Sequence, residues 1–551
     1  MTTEATNRHK LLMVATTVFR RKYIENLRKA NRMRMLSKVV LLFLFPWLAI
    51  AQSNLNVLSL NKIQFADQFT GADACIQIQN AIAALPTNGG EVDARGFLGF
   101  LTCSVNPFAN ILMTPGKSVH LYLAAGSVFT TSAQWIIPFG SIVTGGGGSG
   151  GSGSGTTLRA NATTFPTNTP VIYLGDFAQS AGSLVENITI DCNHVSGSVG
   201  VFSDRVQELG GVRNVSVINY AAIGVEMLDQ GFLSPGTGGQ PENYILDQLQ
   251  FGGDPGSTCI LVRVGTGGQR GGSHITCSSS LVESANVSCS GGVVTASLTG
   301  NTIPLGAAIG VEGGSGLAFG GIFTVTSSSA TQLQWSQPGC SGTSSGVTIG
   351  TMTAVGVQLE GSDGIYSHIH CEFTTDCVRI DDVSLPDGWV TRALDVSGVT
   401  GQSSVNNIVR LVGSTHPEDI ILTALQRCIG PNPATQQCAT NVLEDDFAGN
   451  TLQDASLAWY LLGHSSSGSA PALFSSSPSV AFFLANPFLI FKNGAVFSQL
   501  GGQNNGTYTY CNDCTVTTPS TCSTANPSAC VCAGGGTGAF ARRVSATWLC
   551  N

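Results

Sequence analysis

Gly356-Val357-Gln358-Leu359, Cys377-Val378-Arg379-Ile380 and Ile408-Val409-Arg410-Leu411 read as three copies of one short strand, apolar at the second and fourth positions and polar at the third. Three more valine strands precede them: Gly200-Val201-Phe202-Ser203, Gly224-Val225-Glu226-Met227 and Leu261-Val262-Arg263-Val264. Successive valines stand 24, 37, 95, 21 and 31 residues apart. Irregular spacing above a common minimum is what a coil of stacked strands with variable turns produces, each turn burying its apolar face only against its neighbours. Other strand-like segments alternate with the valine strands, among them Asn187-Ile188-Thr189-Ile190-Asp191 and Asn214-Val215-Ser216-Val217-Ile218. They read as the remaining sides of each turn.

Composition agrees. Only 11% of the 551 residues are charged and 68 are glycine, which favours strand and turn over helix. The 95-residue gap has its own text. From about 280 to 350 the chain runs through Val293-Val294-Thr295-Ala296 and Gly321-Ile322-Phe323-Thr324 to Gln334-Trp335. This reads as a small β module. Taking its 71 residues out of the gap leaves 95 − 71 = 24, one ordinary turn.

Residues 1–51 hold ten basic and two acidic side chains, then an apolar run over residues 39–48 and Ala49-Ile50-Ala51. A basic flank, a short apolar core and a small-residue site predict an export signal, with Met1, Met33 and Met35 as alternative starts. The run is too short for a comfortable membrane span, so none is expected after cleavage. The protein is therefore expected to be secreted or at the cell surface. Without residues 1–51 the chain carries 25 − 10 = 15 basic and 33 − 2 = 31 acidic residues, a net of −16. That balance argues against nucleic acid. It also means that a polyanionic sugar would need a local basic strip.

All 17 cysteines follow residue 51, and export argues for disulfides. Expected pairs are Cys75 with Cys103, Cys289 with Cys340, Cys371 with Cys377, and Cys428 with Cys438. The odd count leaves at least one thiol free. Six cysteines between Cys511 and Cys550 read as a disulfide-stapled tail rather than a zinc knuckle, since no histidine accompanies them.

Gly71-Ala72-Asp73 precedes an apolar-spaced stretch, Ala74 to Leu85, with Asp73 as helix cap and Pro86 as stop. Gly89-Gly90-Glu91-Val92 follows. At these residues the chain resembles the pectate-lyase-like superfamily of single-stranded right-handed parallel β-helices, to which polysaccharide lyases, polygalacturonase-like enzymes and tailspike-like proteins belong. The resemblance implies an all-β solenoid with an N-terminal cap helix. With the inserted module and the disulfide-rich tail read from the residues above, the chain divides into 1–51 signal, 52–104 cap and first strands, 105–279 first coil, 280–350 insertion, 351–430 second coil, 431–505 a C-terminal β region, and 506–551 tail. The polysaccharide partners of that superfamily and the trimers of tailspikes are implied with the resemblance.

Inward valines put the next residues outward: Phe202, Glu226, Arg263, Gln358, Arg379 and Arg410. Two positions on come Glu360 and Asp381. Stacked rungs lie about 4.8 Å apart, so Gln358, Glu360, Arg379 and Asp381 are expected to form one patch, flanked by Asp376 and Asp382. Four uses stay open. Glu360 and Asp381 could be the acid and base of a glycosidase. Asp376 and Asp382 could hold Ca²⁺, and resemblance to pectate lyases then implies Arg379 as the proton acceptor. Glu226, Arg263, Gln358 and Arg410 could bind sugar, the arginines gripping carboxylates. The whole set could instead be a ladder of cross-rung ion pairs. Polygalacturonase-type Gly-His-Gly and Arg-Ile-Lys do not occur, so those catalytic roles are not carried over. His368-x-His370-x-Glu372 reads as a stacked polar ladder before a metal site, and His194 as a turn residue. The expected function is binding or cleavage of an extracellular polysaccharide, uronic-acid-containing ones included, with a non-catalytic, tailspike-like cell-surface or adhesion protein as the alternative.

Overall fold

A computed structural model describes residues 62–447, apart from 113–115, 148–154, 176–179, 205, 229–242, 265–270, 314–318, 382–390, 403, 414–417, 427 and 430–436, and then 460–461, 483–484, 508–511, 514–516, 530–536, 539–544 and 547–550. The export signal expected at 1–51 lies outside the described residues. None of the described helices is long and apolar enough to cross a membrane.

The chain winds into a parallel coil with three faces per turn. The first face runs through Gly89–Ala94, Ser118–Leu123 and Ile142–Thr144 into the opening halves of Leu184–Asp191, Gly211–Tyr220, Ile245–Gly253 and Gly271–Ser279. Early in the chain the second face has separate strands, Gly99–Cys103, Ser127–Thr131 and Thr157–Ala160, which join the closing half of Leu184–Asp191. The third face holds the valine strands: Trp135–Ile137, Pro170–Leu174, Val199–Ser203, Ile223–Leu228, Thr258–Val264, the start of Thr353–Cys371, Thr374–Asp381, Val405–Gly413 and Asn441–Phe447.

The corner between the first two faces is made by one left-handed residue per turn. Asn187, Asn214, Gln248, His274 and His368 have φ of 57°, 50°, 55°, 53° and 54°, and Gly398 follows at 63°. Asparagine tolerates this backbone because its short amide bonds locally. Here Asn214 Nδ2 donates to Asn187 Oδ1 at 2.7 Å, one turn below. His274 and His368 continue the column with rings stacked 4.9 Å apart. His368 thus stands at a corner, whereas His370 lies past it and bonds Glu372 at 3.1 Å. The two histidines therefore stand in separate columns, His368 against His274 at the corner and His370 beside Thr400 past it, and not on the one face expected from their spacing. His194 also has positive φ, in a turn held to Asp254 at 2.7 Å.

All six valines are buried. Their register differs from the expected one at a single rung. Val201 pairs Val225, which pairs Ile260 rather than Val262; Ile260 then pairs Val357, followed by Val378 and Val409. Val262 instead stands level with Met227 and Leu359. A slip of two residues keeps the same side chains inward, so the alternating pattern does not distinguish the two registers.

Ala74–Ala84 is a helix, and the Asp73 carboxylate accepts from Ile76 N at 2.9 Å. Its bonds from Ser104 and Ile76 hold the Asp73 carboxyl below its ordinary range against the opposing effect of burial. Between Val282 and Thr351 the chain forms a closed antiparallel barrel of six strands. It has a core of its own around Val294, Ile309, Leu333 and Trp335. The barrel's ends meet: Ser279 Oγ and Thr351 Oγ1 lie 2.8 Å apart, and Thr351 N donates to Leu281 O at 3.1 Å. The insertion therefore leaves and re-enters the coil at one point.

The expected bridges Cys75–Cys103, Cys289–Cys340 and Cys371–Cys377 are present. Cys428 and Cys438 are backbone register partners. In the tail, Cys511 pairs Cys514 and Cys532 pairs Cys550. Cys192, Cys259 and Cys277 are free thiols in the coil core. Burial pushes the Cys192 thiol up, which makes it inert.

The barrel docks on the coil through glycines and one acid. A Cβ at Gly350 would stand 2.6 Å from the Phe373 ring, and one at Gly310 2.7 Å from Ser404 Cβ. Glu312 is buried at this seam, where Gln402 Nε2 donates to it at 2.5 Å and Ser404 Oγ also donates. Burial, with nearby Glu372, raises the Glu312 carboxyl to about 8. A carboxyl raised on folding binds its proton more tightly in the native state, so stability falls as pH rises from its unfolded value toward 8. The melting temperature is expected to drop across that window, and Glu312→Gln to flatten the drop. A drop of equal size in the variant would contradict this account of the seam.

Candidate functional site

The third face presents two outward columns. Phe202, Glu226, Leu261, Gln358, Arg379 and Arg410 stack in one. Leu228, Arg263 and Glu360 stack in the other, and Asp381 stands level with Val412. Arg263 therefore sits beside Glu360 and not in line with Arg379, a consequence of the two-residue slip at its rung.

The charges meet in two clusters. Arg263 Nε donates to Glu360 Oε2, and its Nη2 to Glu360 Oε1 at 3.2 Å. Gln358 Nε2 donates to Glu360 Oε1 at 2.6 Å and reaches Asp381 Oδ2 at 3.4 Å. The predicted pair Glu360 and Asp381 is thus joined through one amide. Both carboxylates are buried. Arg263 is raised: burial opposes its charge, and its bonds to Glu360 with the fields of Glu226 and Asp381 overcome that. Glu226 stands over the same cluster; burial raises its carboxyl, Arg263 pulls it down and Glu360 pushes it up.

Arg379 belongs to the second cluster. Its Nε and Nη2 bond Asp376 Oδ2 at 2.8 and 2.5 Å, Arg410 Nη1 approaches the same oxygen at 3.6 Å, and Asn407 Nδ2 donates to Asp376 Oδ1 at 2.8 Å. Asp376 is wholly buried. Sequence reading placed it at a flanking turn; it is the anchor of two arginines. Asn407 was not singled out at all, although Asp376, Asn407 and Asn441 are successive register partners and Asn441 Nδ2 donates to Asn407 Oδ1 at 2.8 Å. A polar residue two places before each valine, in Asp376-x-Val378 and Asn407-x-Val409, was the available signal.

Both Asp376 oxygens accept hydrogen bonds from protein donors. Asp382 lies outside the described residues. Among the described residues the group of acids, histidines or cysteines near enough to share an ion is Cys514, Cys532 and Cys550, whose sulfurs are taken up in the tail bridges.

All three arginines remain partly open to solvent. The Arg263, Arg379 and Arg410 side chains are 24%, 23% and 29% exposed. Toward the N-terminal end the face becomes aromatic, with Tyr173 and Phe202 ring centroids 5.5 Å apart and Tyr173 OH donating to Asp204 at 2.6 Å. The face thus carries arginines paired with buried acids at one end and a tilted aromatic pair at the other.

No family model matches the chain, and no curated protein matches it. Solved structures similar to it include the A-module of the Azotobacter vinelandii mannuronan C-5 epimerase AlgE4, at 9% identity and a TM-score of 0.29, covering 75% of this chain and 99% of that one. The A-module of the epimerase AlgE6 from the same organism gives 9%, 0.24, 76% and 100%. The catalytic domain of a GH87 alpha-1,3-glucanase gives 8%, 0.23, 74% and 68%. At such scores the superpositions carry no argument about this chain, whose architecture rests on its own strand register.

Removing the anchor should cost stability. Asp376→Ala removes the buried counter-charge that Arg379 and Arg410 share. A loss of about 2–3 kcal/mol is expected in urea unfolding, below that of a fully buried pair because both arginines are partly wet. A loss under about 0.5 kcal/mol, the size of an ordinary surface change, would show that the acid anchors nothing.

Proposed function

We propose that the third face binds an extracellular polysaccharide bearing carboxylates, with Arg263, Arg379 and Arg410 as its grips and Gln358 and Glu226 as neighbouring polar contacts. The observation that carries this reading is the preset guanidinium strip. Each arginine is paired with the buried carboxylate of Glu360 or Asp376 and stays partly exposed. A guanidinium already oriented loses little freedom when it takes a second carboxylate, and its planar fork matches that group.

In this reading Glu360, Arg379 and Asp381 hold the strip in place and are given no acid–base role. Glu360 spends both oxygens on Arg263 and Gln358, and Arg379 is turned to Asp376. The cross-rung ion pairs and the sugar grip are then two uses of one set of residues. Export and a surface location complete the proposal, since a polysaccharide of this kind is met outside the cell.

Arg379→Ala is a fair variant because Arg410 and Asn407 still satisfy Asp376. Losing one charge-assisted bond should weaken binding of polygalacturonate or polymannuronate by about ten- to a hundredfold. The melting temperature should stay near that of the wild type, and Arg379→Lys should restore little. Unchanged affinity in Arg379→Ala, or equal affinity of the wild type for a neutral glucan, would contradict the strip as the grip.

A further inference from the structure

The first face carries a different cluster, near the start of the coil. In Ser118–Leu123 the residues Val119, Leu121 and Leu123 are buried, so His120 and Tyr122 point outward. Their neighbours by register are Glu91 and Asp93 on one side, and Thr144, Glu186 and Arg213 in succession on the other. Tyr122 OH lies 3.0 Å from His120 Nδ1, with the two rings stacked 4.0 Å apart. His120 Nε2 lies 2.8 Å from Thr144 Oγ1, which donates to Glu186 Oε1 at 2.9 Å. Arg213 closes the chain by donating to Glu186 Oε2.

The directions of these bonds follow from proton counting. Thr144 has a single hydroxyl proton and gives it to Glu186, so it accepts from His120 Nε2–H. A neutral imidazole with its proton on Nε2 has a bare Nδ1, which accepts from the Tyr122 phenol. The network therefore fixes one tautomer and aims a phenol proton at a vacant nitrogen. Nothing in the coil's packing requires this, since the residues sit on the outer side of the sheet. Two exposed cations flank them. Arg95, paired with Asp93 at 2.7 Å, holds its guanidinium 5.5 Å over the Tyr122 ring, and Arg213 stands at the far end.

We propose that Tyr122 and His120 form an acid–base pair that removes a proton from a sugar unit bound on the first face, Tyr122 being the catalytic residue and His120 the proton store. The proposal rests on the polysaccharide reading above for its substrate class. In the step, an X–H bond of the sugar breaks and its proton bonds to the phenol oxygen. The phenol's own proton passes to His120 Nδ1. The electron pair stays on X, and Arg95 is the nearby cation for the anion that forms. The imidazolium is compensated by Glu91 on the preceding strand and by Glu186 through Thr144. Burial lowers His120, against the pull of Glu91 and Glu186, and burial with Glu91 raises Tyr122 against Arg95. At neutral pH both groups are then in the states the step needs. Turnover is lost as pH falls through the lowered histidine value.

The test uses the mature protein with polygalacturonate, polymannuronate and a neutral glucan, following reducing ends, ultraviolet absorbance and exchange of sugar protons with deuterated water. Tyr122→Phe and His120→Gln should each lower turnover about 10²–10⁴-fold with sugar binding and melting temperature kept. His120→Gln retains a side-chain donor toward Thr144, and in it the acidic limb of the pH profile should disappear. Unchanged turnover in either variant overturns the proposal. So does a wild type that binds these sugars and transforms none, which leaves the binding reading intact. A wild type that neither binds nor transforms them overturns the polysaccharide reading and this step with it. Independently of any sugar, nitrogen NMR should find His120 as the Nε2–H tautomer at neutral pH, and the Nδ1–H form would overturn the pair.

Discussion

Each turn of this coil is buried only by the turns above and below it, so equivalent positions must stack in register. That single constraint sets the rest. It lines Val201, Val225, Ile260, Val357, Val378 and Val409 into one inward column. It places one left-handed residue at the same corner in every turn from Asn187 to Gly398. It also makes outward side chains neighbours at about 4.8 Å whether or not they are close in sequence.

Outward stacking turns isolated charges into clusters. Arg263 meets Glu360 across a gap of 97 residues, and Arg410 meets Asp376 across a turn. Because the acids are buried and the arginines are only partly so, the clusters hold their positive groups toward solvent. On another face the same stacking links Tyr122, His120, Thr144, Glu186 and Arg213, which come from four separate strands. One face thus carries arginine–carboxylate clusters and the other a continuous hydrogen-bonded chain. Both follow from the register and not from any local motif.

The coil and its interruption were legible in the sequence because burial leaves a repeating trace: valine at the inward position, and a subtraction that restored one ordinary turn. Three disulfides were legible for a similar reason, each joining cysteines close along the chain or within one module. The register at Val262 was not, since Ile260 and Val262 are both apolar and both inward. That slip moved Arg263 beside Glu360. Partners were the least legible feature. Asp376 reads as a turn acid, and only its register with Asn407 shows it beneath two arginines. His120-x-Tyr122 alternates as any exposed strand does, and its meaning appears only when Thr144 and Glu186 are stacked beside it.

The register itself can be measured. Arg213, Asp247, Ser273, Ser367 and Ser397 are successive partners on the first face. The whole barrel falls in the sequence between Ser273 and Ser367. Nitroxide labels at positions 213 and 397, four rungs apart, should give a narrow electron–electron distance distribution near 4 × 4.8, or about 19 Å. Deleting the barrel from the count of rungs is what makes that distance short. A broad distribution, or one centred well beyond about 30 Å, would mean that the turns before and after the insertion do not stack on a single coil at the rung spacing.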